Sequence, residues 1–339
     1  MLKKKRLLTG IKPTGDLTLG NYLGIIKPLV NFQKKFFENY EFYVFIADLH
    51  ALTNFQKPSL LRKRIKNTAL LYLASGFNIE NFLLFVQSDI CQNTYLHYIL
   101  ECNSYFGELK RMNQFKDYYN KKKTGNIASS FFTYPILMAS DILLYDADVI
   151  PVGQDQKQHL ELTRNLAIRF NNLYGFTFVV PEFMKLGCTI KSLTEPTKKM
   201  SKSKNINEEL EHQDKGCIFL LEDLQSIKNK IMRSVTDSEN KIKYEPLSKP
   251  GISNLIKIYS CLKEWEIQKT EKYFSENSYS FFKEKVAELV LNEISIIQKN
   301  FFYFQKNIFL EEILNQNSKK IKNIAKQKIN KIKKKIGLK

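Results

Sequence analysis

Two short stretches carry residues suited to holding a polyphosphate. The first is Thr9-Gly10-Ile11-Lys12-Pro13-Thr14-Gly15-Asp16-Leu17-Thr18-Leu19-Gly20-Asn21-Tyr22, which reads as a turn-rich loop leading from a strand into a helix. Such a loop turns backbone N–H groups and the positive end of the helix dipole toward whatever binds there, which favours an anion. Thr18 and Asn21 add side-chain donors one turn apart, and Gly20 between them has no Cβ to hold a nucleotide off the backbone. A threonine or Asp16 that simply caps the helix would give the same residues, so this stretch alone leaves both roles open. The second is Lys199-Met200-Ser201-Lys202-Ser203, in a polar run over residues 197–205 that has no core pattern. Its lysines and hydroxyls can follow a polyphosphate and compensate the charge that grows on a departing pyrophosphate. A solvated charge run is the ordinary alternative, but a specified five-residue string is far less common by chance.

These loops need a scaffold, and the first half of the chain supplies its pattern. Apolar, β-prone runs at residues 6–9, 41–46, 81–87 and 149–152 alternate with helical spacing at 58–75, 130–145 and 156–174. Repeated strand–helix–strand order predicts a Rossmann-like parallel sheet covered on both faces, with ligands beyond the carboxyl ends of its strands. After about residue 235 no strand pattern recurs, and 252–338 reads as helical throughout. The expected fold is therefore α/β, a Rossmann-like catalytic domain followed by an all-helical C-terminal domain. The boundaries are 1–190 for the first (with a helical insertion), 191–235 for the second loop and a connecting helix, and 236–339 for the helical domain, part of which packs back on the first.

The chain of 339 residues has 53 Lys+Arg against 34 Asp+Glu, a formal charge of +19, and is 43% hydrophobic with 25 Phe and 17 Tyr. It can bury a large core, which argues against disorder and against a disulfide-stapled mini-protein. No stretch reaches the roughly 18 to 20 apolar residues a bilayer-spanning helix requires. The basic start Met1-Leu2-Lys3-Lys4-Lys5-Arg6 is followed only by Leu7-Leu8 before Thr9-Gly10, too short for a signal peptide; a cytoplasmic location is expected. The five cysteines Cys91, Cys102, Cys188, Cys217 and Cys261 form no C-x-x-C pair, and reduced, buried thiols are expected. Ten lysines and no acid fall in residues 318–339. Ile321, Ile324, Ile329, Ile332 and Ile336 recur there at near-helical spacing, so that segment either docks as a solvated helix or meets a polyanion such as RNA.

The two loops together resemble a known family. Thr18-Leu19-Gly20-Asn21 is similar to the variant of the HIGH signature found in bacterial-type tryptophanyl-tRNA synthetases, and residues 199–203 match the KMSKS signature of class I aminoacyl-tRNA synthetases letter for letter. Further similarity runs through 42–53 (with Asp48 and His50), 107–116, 134–145, 151–170, Thr236-Asp237-Ser238 and Lys249-Pro250-Gly251-Ile252-Ser253-Asn254. The resemblance implies that the carboxylate of L-tryptophan attacks the α-phosphate of ATP, giving tryptophanyl-adenylate and pyrophosphate, and that the amino acid then passes to the terminal adenosine of tRNA(Trp). Catalysis by Thr18, Asn21, Lys199 and Lys202 would be positioning and charge stabilisation, since the nucleophile is already an anion.

By the same resemblance, Lys12, Pro13, Thr14, Thr18, Gly20 and Asn21 line the ATP site from one side. Gly153, Gln154 and Asp155 hold the adenosine, Ile190 contacts adenine, and Lys199, Met200, Ser201, Lys202 and Ser203 close over the phosphates. Mg²⁺ would be held mainly by ATP phosphates, with no residue assigned as a metal ligand. Asp141 would accept the indole N–H, Met138 and Val152 would pack on the ring, and Tyr134 with Gln156 would hold the ammonium group. Lys12 departs from the glutamine that many relatives carry. Relatives are homodimers whose helical domain reads the anticodon, so a homodimer binding tRNA is expected. Some relatives carry an iron–sulfur cluster on C-terminal cysteines; only Cys261 lies there, and none is expected. Tyrosyl-tRNA synthetase, which usually keeps histidines in the first signature, and small-molecule nucleotidyltransferases are the alternatives.

Overall fold

The computed structural model describes residues 4–121, 128–200, 214–307 and 309–338. Five parallel strands, β1 (Lys5–Ile11), β2 (Tyr40–Ile46), β3 (Phe82–Val86), β4 (Val149–Pro151) and β5 (Glu182–Met184), form one sheet in the order β3-β2-β1-β4-β5. The chain steps outward from β1 to β3, then returns to β4 on the other side of β1. The gap beyond the ends of β1 and β4 is thus the topological switch point.

Phe42 to Ile46 are buried without interruption, as expected when helices cover both faces of a parallel sheet. Alternate residues feed opposite cores. Leu7, Val44, Ile46 and Leu84 pack on one side with the helices Lys27–Phe36 and Pro58–Ala74; Leu8, Tyr43, Phe45 and Phe85 pack on the other with Gln92–Glu101, Ser129–Leu143 and Lys157–Tyr174. The first core runs on into the helices Pro250–Lys263, Ile267–Phe274 and Tyr279–Asn307 through Ile252, Phe274 and Val286. The four strands expected from sequence fall within two residues of their predicted bounds. The short β5 was not anticipated, because three residues of which one is exposed and two half-buried carry no alternation.

The last helix, Leu310–Ile336, does not stand alone. Ile321, Ile329 and Ile332 are buried in the second core, with Ile324 and Ile336 packed at its edge, and Asn317 Nδ2 donates to the Leu84 carbonyl of β3 at 3.0 Å. The isoleucine stripe therefore docks as its spacing predicts. Lys328 breaks the simple picture of lysines facing water: it is 6% exposed, its ammonium against the Asp146 carboxylate and the Thr177 carbonyl. Burial lowers its pKa while Asp146 opposes the shift.

The cysteines correct a sequence expectation. Cys217 is buried, but Cys91 and Cys102 are exposed, and the sulfurs of Cys188 and Cys261 meet across 73 residues of sequence. Such a separation leaves no local signal to read. The lysine-rich segment at 121–125 lies outside the described residues apart from Lys121, which ends the helix Asn113–Lys121. Among the described residues no helix is long and apolar enough to cross a membrane.

Candidate active site

A cavity of about 310 Å³ opens at the switch point, at the lower end of the range for small-molecule sites. Gly10 and Lys12 reach it from the end of β1, His50 and Thr53 from the turn after β2, and Val152 and Gln156 from the segment after β4. Tyr134, Met138 and Asp141 enter from the helix Ser129–Leu143, where steps of four and three residues put them on one face. A larger groove of about 1150 Å³ lies between the helix Gln92–Glu101 and the last helix, lined by Tyr95, Tyr98, Lys326 and Lys333 among others. None of the described candidate residues borders it, and size alone does not make a site.

Asp141 is 1% exposed, so its carboxylate needs donors. The structure supplies two that sequence reading did not name for it. Gln87 Nε2 lies 2.8 and 2.9 Å from the two oxygens, and His50 Nε2 lies 2.8 Å from Oδ2. Neither is the arginine or lysine that an ordinary structural ion pair would use. A carboxylate can accept about four hydrogen bonds, which leaves capacity for one more donor from the cavity. Tyr134 lies beside Asp141 in the wall; burial, then the nearby Asp155 charge, raises the pKa of its phenol, so the hydroxyl stays protonated. Lys12 Nζ lies 2.9 Å from Thr53 Oγ1, and burial pulls it down to about 8.

The first signature is folded differently from a row of free donors. Thr18 is wholly buried; its hydroxyl accepts from the Asn21 N–H at 3.2 Å, while Asn21 Oδ1 accepts from the Thr18 N–H at 3.1 Å and from the Thr18 hydroxyl at 3.2 Å. This reciprocal capping box starts a continuous helix through Leu19–Asn21, a π-helical turn at Tyr22–Ile26, and Lys27–Phe36. The Leu19 N–H is also used, donating to Ile218 at 2.9 Å. The capping alternative is thus realised: the Thr18 hydroxyl is engaged within the box, and the Asn21 amide nitrogen lies outside it.

The second signature meets the first. A Cβ on Gly20 would lie 3.1 Å from the Met200 carbonyl, so the absence of a side chain there lets the two loops touch. Met200 is 3% exposed, and its N–H donates to the Ile190 carbonyl at 2.9 Å. Ile190 itself is 1% exposed and packs in the main core. Lys199 Nζ lies 3.5 Å from Asp155 Oδ1. Burial raises the Asp155 pKa, but the Lys199 charge and the Gln156 amide outweigh it and hold the carboxyl below its ordinary range. The Asp155 carboxylate folds back over Gly153, where a Cβ would meet Oδ1 at 2.6 Å. Pro13 is buried and Thr14 half-buried in the loop after β1. Ser201, Lys202 and Ser203, like the side chain of Gln154, lie outside what is described.

The strap that carries these residues is held from behind. Asn254, on the helix Pro250–Lys263, accepts from the Lys191 N–H at 2.8 Å and donates to the Lys191 carbonyl at 2.9 Å. Asn254→Ala strips both partners from a partly buried peptide unit, at an expected cost of about 1–3 kcal/mol. Thermal unfolding with and without ATP would check this; an unchanged Tm would show that the clamp is dispensable.

The model of the family described as tRNA synthetases class I (W and Y) matches residues 2–294. The tryptophan--tRNA ligase of Malacoplasma penetrans is 43% identical over 341 residues, covering 98% of both chains. The chain belongs to this class I synthetase family. The corresponding ligase of Bacillus subtilis is 41% identical, covering 99% of this synthetase and 98% of its own length. Among solved structures, the tryptophanyl-tRNA synthetase of Mycoplasma pneumoniae superposes with a TM-score of 0.88 at 33% identity over 99% of each chain. That of Campylobacter jejuni, complexed with ADP and tryptophan, gives a TM-score of 0.76 at 29% identity over 98% of this synthetase and 99% of its own chain.

Proposed function

We infer that this synthetase activates L-tryptophan with ATP and transfers it to the terminal adenosine of tRNA(Trp), releasing pyrophosphate and AMP. The carrying observation is the contact between the two signatures, Gly20 against Met200, with Lys199 on Asp155 and Asp155 next in sequence to Gln156 of the cavity. A nucleotide held by the signatures would thus have its α-phosphate beside an amino acid held in the cavity. The tryptophan carboxylate attacks that phosphorus and pyrophosphate leaves; no base is needed for a nucleophile that is already ionised.

In this reading Lys12, Pro13, Thr14, Gly20 and Asn21 border ATP on one side, Gly153, Gln154 and Asp155 hold its adenosine, and Ile190 contacts the adenine. Lys199, Met200, Ser201, Lys202 and Ser203 follow the phosphates. Among the described residues no three His, Cys, Asp or Glu gather as a metal site; Mg²⁺ would travel with ATP on phosphate oxygens. Asp141 takes the indole N–H, with Met138 and Val152 against the ring and Tyr134 and Gln156 at the ammonium. The same inference extends to a cytoplasmic homodimer whose helical region meets tRNA. The Campylobacter relative bound to ADP and tryptophan supports the choice of ligands.

Pyrophosphate exchange with tryptophan, tyrosine or phenylalanine offered separately tests the assignment. Exchange driven by tryptophan, followed by charging of tRNA(Trp), is expected; exchange driven by tyrosine would overturn it. Lys12 adds a pH signature. With its pKa near 8, the ammonium is present at pH 7 and lost as pH rises past 8, so kcat/KM for the anionic substrates should fall over that interval. Lys12→Gln should flatten that limb, and a limb of equal size in the variant would remove Lys12 from the site.

A further inference from the structure

We propose that His159 is a positioning residue that makes Tyr134 and Gln156 present acceptors, rather than donors, to the ammonium group of the amino acid. The proposal rests on the tryptophan reading above and concerns a residue that, by the geometry, need not touch substrate.

His159 is 1% exposed, on the first turn of the helix Lys157–Tyr174. Its Nε2 lies 2.9 Å from the Tyr134 hydroxyl and its Nδ1 2.8 Å from Gln156 Oε1. Gln156 Nε2 in turn donates to Asp155 Oδ2 at 3.2 Å. Burial pulls the imidazole down to about 4, so it is neutral near pH 7 and carries a single N–H. That one proton has to be assigned, and Asp155 assigns it. A carboxylate accepts only, so Gln156 turns its amide nitrogen toward Asp155 and its oxygen toward His159. The imidazole must then carry its proton on Nδ1, leaving Nε2 as an acceptor. The Tyr134 hydroxyl donates its proton to Nε2.

Gln114 Oε1 also faces the Tyr134 hydroxyl closely. One proton cannot serve both neighbours, and the arrangement is satisfied throughout when the Gln114 amide presents its nitrogen to the phenol oxygen. The donors then run in one direction, from Gln114 through Tyr134, His159 and Gln156 to Asp155. The Tyr134 and Gln156 oxygens each keep a lone pair, and both residues line the cavity. An ammonium group, with three donors and no acceptor, is the complement of that surface. The opposite tautomer would turn the Gln156 oxygen onto the Asp155 carboxylate and its nitrogen toward His159, placing an N–H next to a cation.

The test uses the full chain and two ligands, L-tryptophan and indole-3-propionate, which keeps the ring and the carboxylate but lacks the ammonium group. His159→Phe should raise the KM for tryptophan in pyrophosphate exchange by about tenfold or more, with kcat changed far less, while the Ki of indole-3-propionate stays within about twofold. His159→Asn, which retains an N–H where Nδ1 stood, should recover part of the loss, and it serves as the second variant should the phenylalanine form fold poorly. Equal weakening of both ligands, or no change in the KM for tryptophan, would overturn the proposal by reducing His159 to packing. A wild type unresponsive to tryptophan would instead overturn the functional reading beneath it.

Discussion

Asp141→Ala is expected to lower the preference for tryptophan over phenylalanine in kcat/KM by on the order of 10²-fold. A site built around a hydrogen bond to substrate rejects the analogue lacking it because buried groups are left unpaired, an effect that reaches roughly 10⁴ or more. In the proposed reading the rejecting group is the Asp141 carboxylate, 1% exposed, which Gln87 and His50 satisfy only in part. Phenylalanine fills the space but offers no N–H. Alanine removes the acceptor, so the penalty for phenylalanine vanishes along with the gain for tryptophan. The same substitution leaves Gln87 and His50 without their acceptor, so a loss of about 1–3 kcal/mol in stability should accompany it. Exchange kinetics with both amino acids and thermal unfolding report the two effects separately. An unaltered selectivity ratio would mean that the indole lies elsewhere.

Lys202→Ala should lower the rate of adenylate formation by about 10²-fold or more while moving the KM for tryptophan little, as loss of a transition-state cation does. Lys202 is two residues beyond Met200, which abuts Gly20, and the chain returns at Ile218 to accept from Leu19. Both described flanks, Met200 and Ile218, therefore touch the first signature. Single-turnover formation of adenylate separates chemistry from binding. A proportional loss of tryptophan affinity would assign the lysine to ground-state binding instead.

The sheet and its switch point could be read from the sequence because buried parallel strands are continuous apolar runs, and Phe42 to Ile46 is one. The loops could be read because Gly20 and the string at 199–203 are local patterns. The helix over 130–145 was legible from spacing, but the choice of Tyr134, Met138 and Asp141 on it came from the family resemblance. What the sequence hid is what depends on distant partners. Gln87 and His50 lie 54 and 91 residues from Asp141, and no periodicity links them. The capping role of Thr18 was visible only as one of two readings, since a hydroxyl at a helix start serves either the backbone or a ligand. Lys328 shows the same limit: ten lysines in a row of turns gave no sign that one of them would be buried against Asp146.

The seating of the last helix on β3 has a colloidal consequence. Among the described residues β3 is an edge strand, bonded to β2, and Asn317 occupies the Leu84 carbonyl while the isoleucines cover the adjoining apolar surface. A chain cut before Leu310 would bare an unprotected ribbon edge beside a greasy face, the combination that templates cross-chain pairing. Such a truncation should yield fibrillar or amorphous aggregates before any of the chemistry is touched.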